Sequence, residues 1–345
     1  MKNNIILTIA VTTYNRSGFL QTTVNRSIKQ IIDGNLEKEV EIVISNDASP
    51  DKDTANYINK VDAEYEFVRG FNQPKNIGVS KNLEWIVNEA RGSHVQLFGD
   101  DDLLVDGAIA YFVKSIKEKE PNFIIVNINN IHSLDNSNQQ YKIVRENRLN
   151  IHNDIFMDNL QKDYDLLKPA NNWFYTTNFI TAIIFRKDLW QREMITAKKY
   201  IEPKNVFIWQ APVIIGLSKY GKLLVIAKSL ILCRKNPTDN YVLDPRGRWY
   251  INLFESIEIS KIVKRFVPAE YKKHKKMYAS FIMQTFMDET LKGKNIRKFA
   301  LIACRNYFDI FPENIQFLSM AIIPKIIARN DPKLRSYKRF IKSKI

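Results

Sequence analysis

The chain contains few cysteines, which could form disulfides, and few glycines and prolines, which interrupt helices and strands. Its 345 residues include two cysteines, eleven glycines and twelve prolines. Cys233 and Cys304 are too few for a disulfide framework or a zinc cluster. Hydrophobic residues make up 45% of the chain, which excludes disorder throughout. Because the length exceeds what one hydrophobic core usually supports, we expect a large domain with an additional region.

Long hydrophobic runs are also missing. The longest, residues 315–328, is interrupted by Pro324 and Lys325, and it falls short of the roughly 20 residues that span a bilayer. The apolar segment Ile5–Val11 is short, lacks a small-residue cleavage site and leads directly into a polar loop. We therefore predict that this segment is a buried strand and not a signal peptide.

Charge of one sign is unevenly distributed along the chain. The formal net charge is +15, yet residues 1–110 carry −5 and residues 235–345 carry +13. A protein that binds nucleic acid over its whole surface should not have an acidic first third. The sequence also contains no nucleic-acid-binding motif, so we expect no nucleic-acid partner.

Strand and helix patterns alternate over the first 130 residues. Four hydrophobic runs are predicted strands: Ile5–Thr12, Val40–Ser45, His94–Phe98 and Phe123–Asn129. This alternation, with short connections, predicts a mostly parallel sheet with helices on both faces. From about Trp249 the pattern is helical only. We therefore expect an α/β domain over residues 1–235 and a basic, all-helical region over residues 236–345.

Polar clusters follow three of these predicted strands. They are Thr13–Arg16, Asn46–Asp51 and Asp100–Asp102. Because ligands of such sheets bind at the carboxyl ends of the strands, we expect the three clusters to lie at one edge.

The triplet Asp100-Asp101-Asp102 is the most informative of the three clusters. Adjacent carboxylates repel one another, and burying them is costly without a cation. Their natural partner is a hard divalent metal, Mn²⁺ or Mg²⁺, which prefers oxygen ligands and also binds substrate phosphates. Asp100 and Asp102 are the candidate metal ligands. The alternative interpretation is a solvated acidic turn.

Other residues in the same region could bind a nucleotide. The carboxylate of Asp47 could accept an N–H from a base. The segment Asn76–Gly78 opens a predicted helix, where free N–H groups favour phosphate. The guanidinium of Arg234, after the last predicted strand, could hold a diphosphate. Each of these residues also has an ordinary structural interpretation as a turn, a cap or a solvated cation.

The order of these elements resembles a known family. A strand followed by Thr-Thr-Tyr-Asn-Arg, a strand followed by Asn-Asp-Ala-Ser, an Asn-Ile-Gly element and a strand followed by Gly-Asp-Asp-Asp resemble the nucleotide-binding half of family 2 glycosyltransferases with the GT-A fold. The resemblance covers roughly residues 5–130 and, less closely, residues 170–235. The segment Phe185–Trp190 resembles the abequosyltransferase-like and related bacterial surface-polysaccharide enzymes.

The resemblance implies an activity and a set of site residues. The activity is metal-dependent, inverting transfer of a sugar from a nucleotide diphosphate donor, with a UDP-sugar as the expected donor, to a hydroxyl of a capsule, lipopolysaccharide or lipid-linked glycan. The metal, Mn²⁺ or Mg²⁺, would be held by Asp102 and Asp100. The candidate contacts to the nucleotide sugar are Thr12, Thr13, Tyr14, Arg16, Asp47, Asn76, Gly78, Asn82, Asp100, Asp101 and Arg234.

The catalytic base is where the sequence departs from the family. Inverting members usually carry a Glu-Asp pair about a dozen residues before a glycine that matches Gly221. Trp209 and Gln210 occupy that place, and neither side chain can deprotonate an alcohol. The candidate bases are the nearby carboxylates Glu202, Asp188 and Glu193, and we rank Glu202 first.

Two further interpretations stay open. Without the Glu-Asp pair, the chain could be a catalytically impaired, transferase-like binding protein. A sugar nucleotidyltransferase also uses an α/β sheet with acidic metal ligands. It would need a glycine-rich phosphate loop after the first strand, where this chain has only Gly18.

The C-terminal region is basic and amphipathic. Four lysines lie between residues 272 and 276, and more follow in residues 331–345, interleaved with aromatic residues. Such a surface suits anionic lipid headgroups or the phosphates of lipid-linked acceptors. We therefore expect a cytoplasmic enzyme with peripheral contact at the inner face of the membrane. A plain solvated helix face is the alternative.

Overall fold

The chain forms two compact units. A computed structural model describes residues 5–135, 139–159, 179–201, 209–234, 248–291 and 297–309. The first unit contains residues 1–198 and 209–239, and the second contains residues 199–208 and 240–345.

Ten strands form one sheet within the described part of the first unit. They are β1 (Leu7–Thr13), β2 (Val40–Asn46), β3 (Val68–Asn72), β4 (His94–Gly99), β5 (Leu103–Leu104), β6 (Phe123–Ser133), β7 (Tyr141–Arg145), β8 (Ile155–Met157), β9 (Ile183–Arg186) and β10 (Leu223–Arg234). Their order is β3-β2-β1-β4-β9-β6-β10-β5, with β7 beside β6 and β8 beside β10.

The sheet is parallel on one side and mixed on the other. Strands β3, β2, β1 and β4 are parallel neighbours, as the alternating pattern predicts. Strand β9 then runs antiparallel between β4 and β6, and β10 returns parallel to β6. The expectation of a mostly parallel sheet therefore holds for the first four strands. The second half is mixed because β9 is antiparallel to both of its neighbours, and the short strands β5, β7 and β8 are antiparallel to theirs.

Nine α-helices accompany the strands over the described residues. They are α1 (Ser17–Asp33), α2 (Lys52–Glu64), α3 (Val79–Glu89), α4 (Ala108–Lys119), α5 (Lys187–Ile201), α6 (Ala211–Tyr220), α7 (Arg248–Phe266), α8 (Tyr271–Leu291) and α9 (Arg297–Asn306).

Strand β1 shows why the central strands read as continuous apolar runs. Leu7, Ile9 and Val11 are buried in one core cluster with residues of α1 and α4. Thr8 and Ala10, on the opposite face of the strand, are equally buried. A strand covered on both faces has no solvent side, so its sequence does not alternate between apolar and polar residues.

The second unit has its own core, formed by α7, α8 and α9. Leu253, Met283, Phe286, Ala303 and Tyr307 are buried in one cluster. Over the described ranges, no helix combines the length and the hydrophobicity that crossing a bilayer requires.

Candidate active site

Strand register brings the three polar clusters to one edge of the sheet. Thr12 pairs with Gly99, and Thr13 pairs with Asn46, so β1, β2 and β4 end together. The backbone N–H of Asp47 donates to the carbonyl of Thr13 at 3.0 Å. We call this the acidic edge, defined by the loops that follow β1, β2 and β4.

Asp100 is buried at the acidic edge, with 5% of its surface exposed. Its carboxylate accepts hydrogen bonds from Thr13 Oγ1 at 2.8 Å and from Arg16 Nη1 at 3.0 Å. Burial, together with the negative charge of Asp101, raises the pKa of Asp100 to about 6. The contacts with Arg16 and Thr13 oppose this shift without cancelling it.

Asp102 is held by residues from distant parts of the chain. It is 6% exposed, accepts a hydrogen bond from the Thr181 hydroxyl, and accepts another from the backbone N–H of Arg234 at 3.0 Å. Burial and the charge of Asp101 raise its pKa to about 7. Both outer carboxylates therefore lack full compensation for their negative charge.

Asp101 connects the two arginines of the site. Its Oδ2 atom lies 3.1 Å from Arg16 Nη1 and 2.9 Å from Arg234 Nη2. The Arg234 guanidinium lies over the ring of Phe19, with Cζ 4.0 Å from the ring centroid. Only 2% of the Arg234 side chain is exposed. Within this cluster of five charged groups, the carboxylates outnumber the guanidinium groups.

The carboxylate oxygens of this cluster are suitable ligands for a divalent cation. Asp100 and Asp102 offer hard carboxylate oxygens, and a cation would compensate the charge that raises their pKa values. Over the described residues, no group of three His, Cys, Asp or Glu residues is arranged to hold a metal ion. A cation here would thus complete its coordination with water and substrate oxygens, as Mg²⁺ commonly does.

Asp47 occupies the N–H groups that were expected to face a ligand. Its two carboxylate oxygens accept hydrogen bonds from the backbone N–H of Ile77 at 2.7 Å and of Gly78 at 3.0 Å. Gly78 has φ +82°, which favours glycine, and α3 begins after it, at Val79. The expectation of free N–H groups at Asn76–Gly78 is therefore wrong, because Asp47 already satisfies two of them.

The other predicted contacts lie at different depths. Tyr14 is exposed in the loop after β1, and Asn76 is exposed beside Gly78. Thr12, the residue before the last one of β1, is partly buried. Asn82 is buried and accepts a hydrogen bond from Ser45 Oγ at 2.5 Å. Asn82 thus joins α3 to β2 through its side chain.

Asp188 lies at the opposite edge of the sheet. It follows Arg186, which pairs with His94 at the start of β4, whereas Asp100 follows the end of β4. At about 3.3 Å per residue, the length of β4 separates the two edges by roughly 17 Å. Asp188 pairs there with Arg186, Oδ2 to Nη2 at 2.6 Å. The structure does not bring this candidate base to the acidic edge.

Glu193 is also bound away from the acidic edge. It is 1% exposed, accepts a hydrogen bond from Tyr220 at 2.5 Å, and pairs with Lys219 at 2.6 Å. Tyr220 lies just before β10, whose first residue Leu223 pairs with the first residue of β6. This position is at the amino ends of the two strands, opposite the acidic edge. Glu193 therefore joins α5 to the end of α6. The first-ranked candidate, Glu202, lies outside the described residues.

Three residues that support the site carry no local sequence signal. Thr23 Oγ1 lies 2.9 Å from the carbonyl of Asp100 and 2.8 Å from that of Asp102, which fixes the turn between them. The Thr181 hydroxyl binds Asp102, and Phe19 supports Arg234. Each threonine lies 77 or more residues from its partners, so spacing along the sequence does not reveal these contacts.

Comparison with known families identifies the chain. The family model described as "Glycosyl transferase family 2" matches residues 8–187, more than half of the sequence. The chain therefore belongs to glycosyl transferase family 2, and the protein is a glycosyltransferase. A comparison with curated proteins finds no match.

Solved structures support the same fold. The chain is similar to S. aureus TarS 1–349 in complex with UDP-GlcNAc, with a TM-score of 0.55 and 14% identity, over 99% of this chain and 88% of that one. The complex of the same fragment with UDP gives a TM-score of 0.54. Against a longer TarS chain the TM-score is 0.52, and this chain spans 53% of it. The predicted α/β fold with a helical C-terminal region is confirmed, and the finer abequosyltransferase-like likeness stays a prediction.

Proposed function

We propose that the protein transfers a sugar, with inversion, from a UDP-sugar to a hydroxyl of a bacterial surface glycan or lipid-linked oligosaccharide. The observation that carries this proposal is the buried cluster of Asp100, Asp101 and Asp102 with Arg16 and Arg234. This cluster can hold both a cation and a diphosphate next to the loop after β1. UDP as the donor nucleotide is supported by the UDP and UDP-GlcNAc bound to the similar TarS fragment.

The residues at the acidic edge divide the donor between them in this proposal. Asp47 receives an N–H of the base, which requires its carboxylate to share or exchange its bonds with Ile77 and Gly78. Arg16 and Arg234 bind the diphosphate and stabilise the charge that it gains as it leaves. Mn²⁺ or Mg²⁺, held by Asp102 with Asp100, would supply further positive charge to the diphosphate.

The transfer itself is a displacement at the anomeric carbon. The acceptor oxygen forms a bond to that carbon on the face opposite the diphosphate, and the carbon–oxygen bond to the diphosphate breaks with its electron pair. The hydroxyl proton passes to a carboxylate base. Since Asp188 and Glu193 lie at the other edge of the sheet, we propose Glu202 for this role. Glu202→Gln should then lower kcat while leaving donor binding intact.

A donor-binding protein without transfer activity is the second candidate. It is favoured by Trp209 and Gln210, which occupy the place of the family's carboxylate pair. The distance of Asp188 and Glu193 from the acidic edge also favours it. Such a protein would bind UDP-sugars through the same aspartates and arginines without releasing UDP.

One experiment separates the two candidates. The full chain is incubated with Mn²⁺, a panel of nucleotide sugars and bacterial glycan fractions, and free nucleoside diphosphate is measured. Acceptor-dependent release of UDP supports the transferase. Binding of a UDP-sugar by calorimetry without release of UDP, over all acceptors, would contradict transfer and support the binding protein.

The helical region is the proposed contact to an anionic partner such as the membrane surface. Lys272, Lys273 and Lys276 are exposed, as expected. The inclusion of Lys275 in this surface is wrong, because its side chain is buried and pairs with Asp309. Flotation with anionic liposomes should weaken when residues 331–345 are deleted. Unchanged flotation would exclude a role for that segment.

A further inference from the structure

A cavity of about 170 Å³ lies within the second unit, between α7, α8 and the end of α9. Its lining includes three lysines and two tyrosine rings: Lys261, Lys264, Lys275, Tyr271 and Tyr307. Lys275 is buried, whereas Lys261 and Lys264 are exposed, so their ammonium groups are accessible to a solute. The lining is therefore suited to a negatively charged group.

Lys275 forms the inner wall of the cavity. Its Nζ atom donates to the carbonyl of Asn306 at 2.6 Å and pairs with Asp309 at 2.5 Å. The same ammonium lies 4.9 Å from the ring centroid of Tyr271 and 5.4 Å from that of Tyr307. A buried ammonium group requires an anionic partner, and for Lys275 this partner is the carboxylate of Asp309.

The carboxylate of Asp309 supplies the negative charge that pairs with Lys275 in this cavity. Its side chain is 45% exposed, so solvent and solutes reach the carboxylate. Partial burial would raise its pKa, but the hydrogen bonds from Lys275 and the Tyr271 hydroxyl outweigh burial and hold the pKa below its ordinary value. Burial raises the pKa of Tyr271 to about 12, so its hydroxyl remains a donor at neutral pH.

Lys264 leaves one positive charge in the cavity unmatched. Lys261 pairs with Glu258 at 2.8 Å, and Lys275 pairs with Asp309. Lys264 is exposed, and its Nζ atom lies 5.2 Å from the Tyr271 ring centroid. In the part of the chain that the structure describes, no acidic side chain pairs with Lys264. The lining therefore offers an ammonium that can bind a further anion.

We propose that this cavity, which we call the lysine pocket (Lys261, Lys264, Lys275 and Tyr271), binds a phosphate group. Phosphate presents several oxygens to converging donors, and the pocket offers ammonium groups and a tyrosine hydroxyl around one space. The tyrosine rings suit an organic substituent on that phosphate. Asp309 competes with the ligand for Lys275 and Tyr271. The phosphate can belong to a lipid headgroup or to a soluble phosphate ester.

The test uses the full chain and two kinds of probe. The first is inorganic phosphate or glycerol phosphate, titrated by calorimetry. The second is vesicles of phosphatidylglycerol, compared with phosphatidylcholine vesicles by co-sedimentation. Lys264→Ala should weaken binding of the effective probe about tenfold, the usual size of a lost charge-assisted contact. Lys119→Ala, an exposed lysine of α4 in the first unit, is the control and should change binding less than about twofold.

Asp309→Asn distinguishes a binding pocket from a purely structural ion pair. If Asp309 is an internal competitor, its removal tightens phosphate binding severalfold, provided that the helical content by circular dichroism is unchanged. Binding of the soluble probes identifies a soluble ester, and binding of phosphatidylglycerol vesicles alone identifies a headgroup. The proposal is overturned if neither probe binds, if Lys264→Ala and Lys119→Ala weaken binding equally, or if Asp309→Asn in the folded protein weakens it.

Discussion

The two units of this protein bury charge of opposite sign. In the first, the carboxylates of Asp100 and Asp102 lie beneath the acidic edge with Arg16 and Arg234. In the second, the core of three helices buries the ammonium-bearing side chain of Lys275. Neither environment lets water compensate the charge fully, so each unit depends on partners within the protein or on a ligand.

The partners differ in a way that bears on function. Carboxylates outnumber guanidinium groups in the cluster at the acidic edge, and the pKa values of its outer carboxylates are raised. Among the described residues, the lysine pocket leaves one positive charge unmatched, on Lys264. His274 contributes no charge, because burial and the neighbouring Lys275 lower its pKa to about 3. We propose that a cation with a nucleotide diphosphate completes the first unit and that an anion completes the second.

The largest expected effect is at Asp102. Asp102→Asn keeps the shape of the side chain but removes the charge that would hold the cation, so UDP release should fall at least about a thousandfold. The raised pKa shows that burial disfavours the charged carboxylate. Replacing it with the neutral amide should therefore leave the thermal midpoint of unfolding nearly unchanged. Asp188→Asn, at the opposite edge of the sheet, is the control and should retain turnover within about twofold.

Arg234 should have the next largest effect. Arg234→Ala removes a guanidinium from Asp101 and from the proposed diphosphate position, so KM for the donor should rise about ten- to a hundredfold. Phe19→Leu removes only the ring beneath it and should raise KM less. Equal KM values for wild type and Arg234→Ala would remove this residue from the donor site.

Glu193 tests whether the opposite edge is structural. Glu193→Gln weakens a buried ion pair with Lys219 and a hydrogen bond from Tyr220, so unfolding free energy should fall by about 1–3 kcal/mol. Turnover at a temperature where the variant is folded should not change. A large fall in kcat at unchanged stability would instead restore Glu193 as the base.

The two units should respond to pH in opposite directions. The raised pKa values of Asp100 and Asp102 mean that the folded first unit binds more protons than the unfolded chain between about pH 4 and 7, so its stability falls as pH rises. His274 has an ordinary pKa of 6.5, and burial lowers it. Below about pH 6.5 the folded second unit therefore binds fewer protons than the unfolded chain, so its stability falls as pH decreases. Each group contributes at most about 1.4 kcal/mol per pH unit.

Amide hydrogen exchange resolves the two units in one experiment. Between about pH 4.5 and 7 in the absence of divalent cations, protection in β4 should decrease and protection in α8 should increase, after correction for intrinsic exchange rates. Parallel changes in both elements would show that these buried groups do not govern the pH dependence.

The acidic edge is predictable from the sequence because local signals mark it. Buried strands such as β1 and β4 are apolar runs, and the polar residues that follow them must meet at one edge of a parallel sheet. The order of residues along the chain is therefore enough to bring Asp100, Asp102 and Arg16 together. The triplet itself signals a demand for positive charge wherever it is buried.

What the sequence does not reveal depends on contacts between distant residues. Strand β9 is four residues long and follows a tight turn, so no periodicity shows that it separates β4 from β6. The hydrogen bond from Thr181 to Asp102 depends on that strand. Lys275 resembles its exposed neighbours in a run of lysines, and only the packing of α7, α8 and α9 buries it. Helical spacing places Lys275 on the same face as the buried residues Ala279 and Ile282, but its residue type alone predicts exposure.

The central claim is that the acidic edge binds a nucleotide through a cation. Calorimetric titration of UDP into the full chain, with Mn²⁺ and then with excess EDTA, tests it most directly. We predict one UDP bound per chain with Mn²⁺, at least about tenfold weaker binding in EDTA, and no effect of Mn²⁺ in Asp102→Asn. UDP binding of equal strength with Mn²⁺ and with EDTA, or unchanged Mn²⁺-dependent binding in Asp102→Asn, would contradict it.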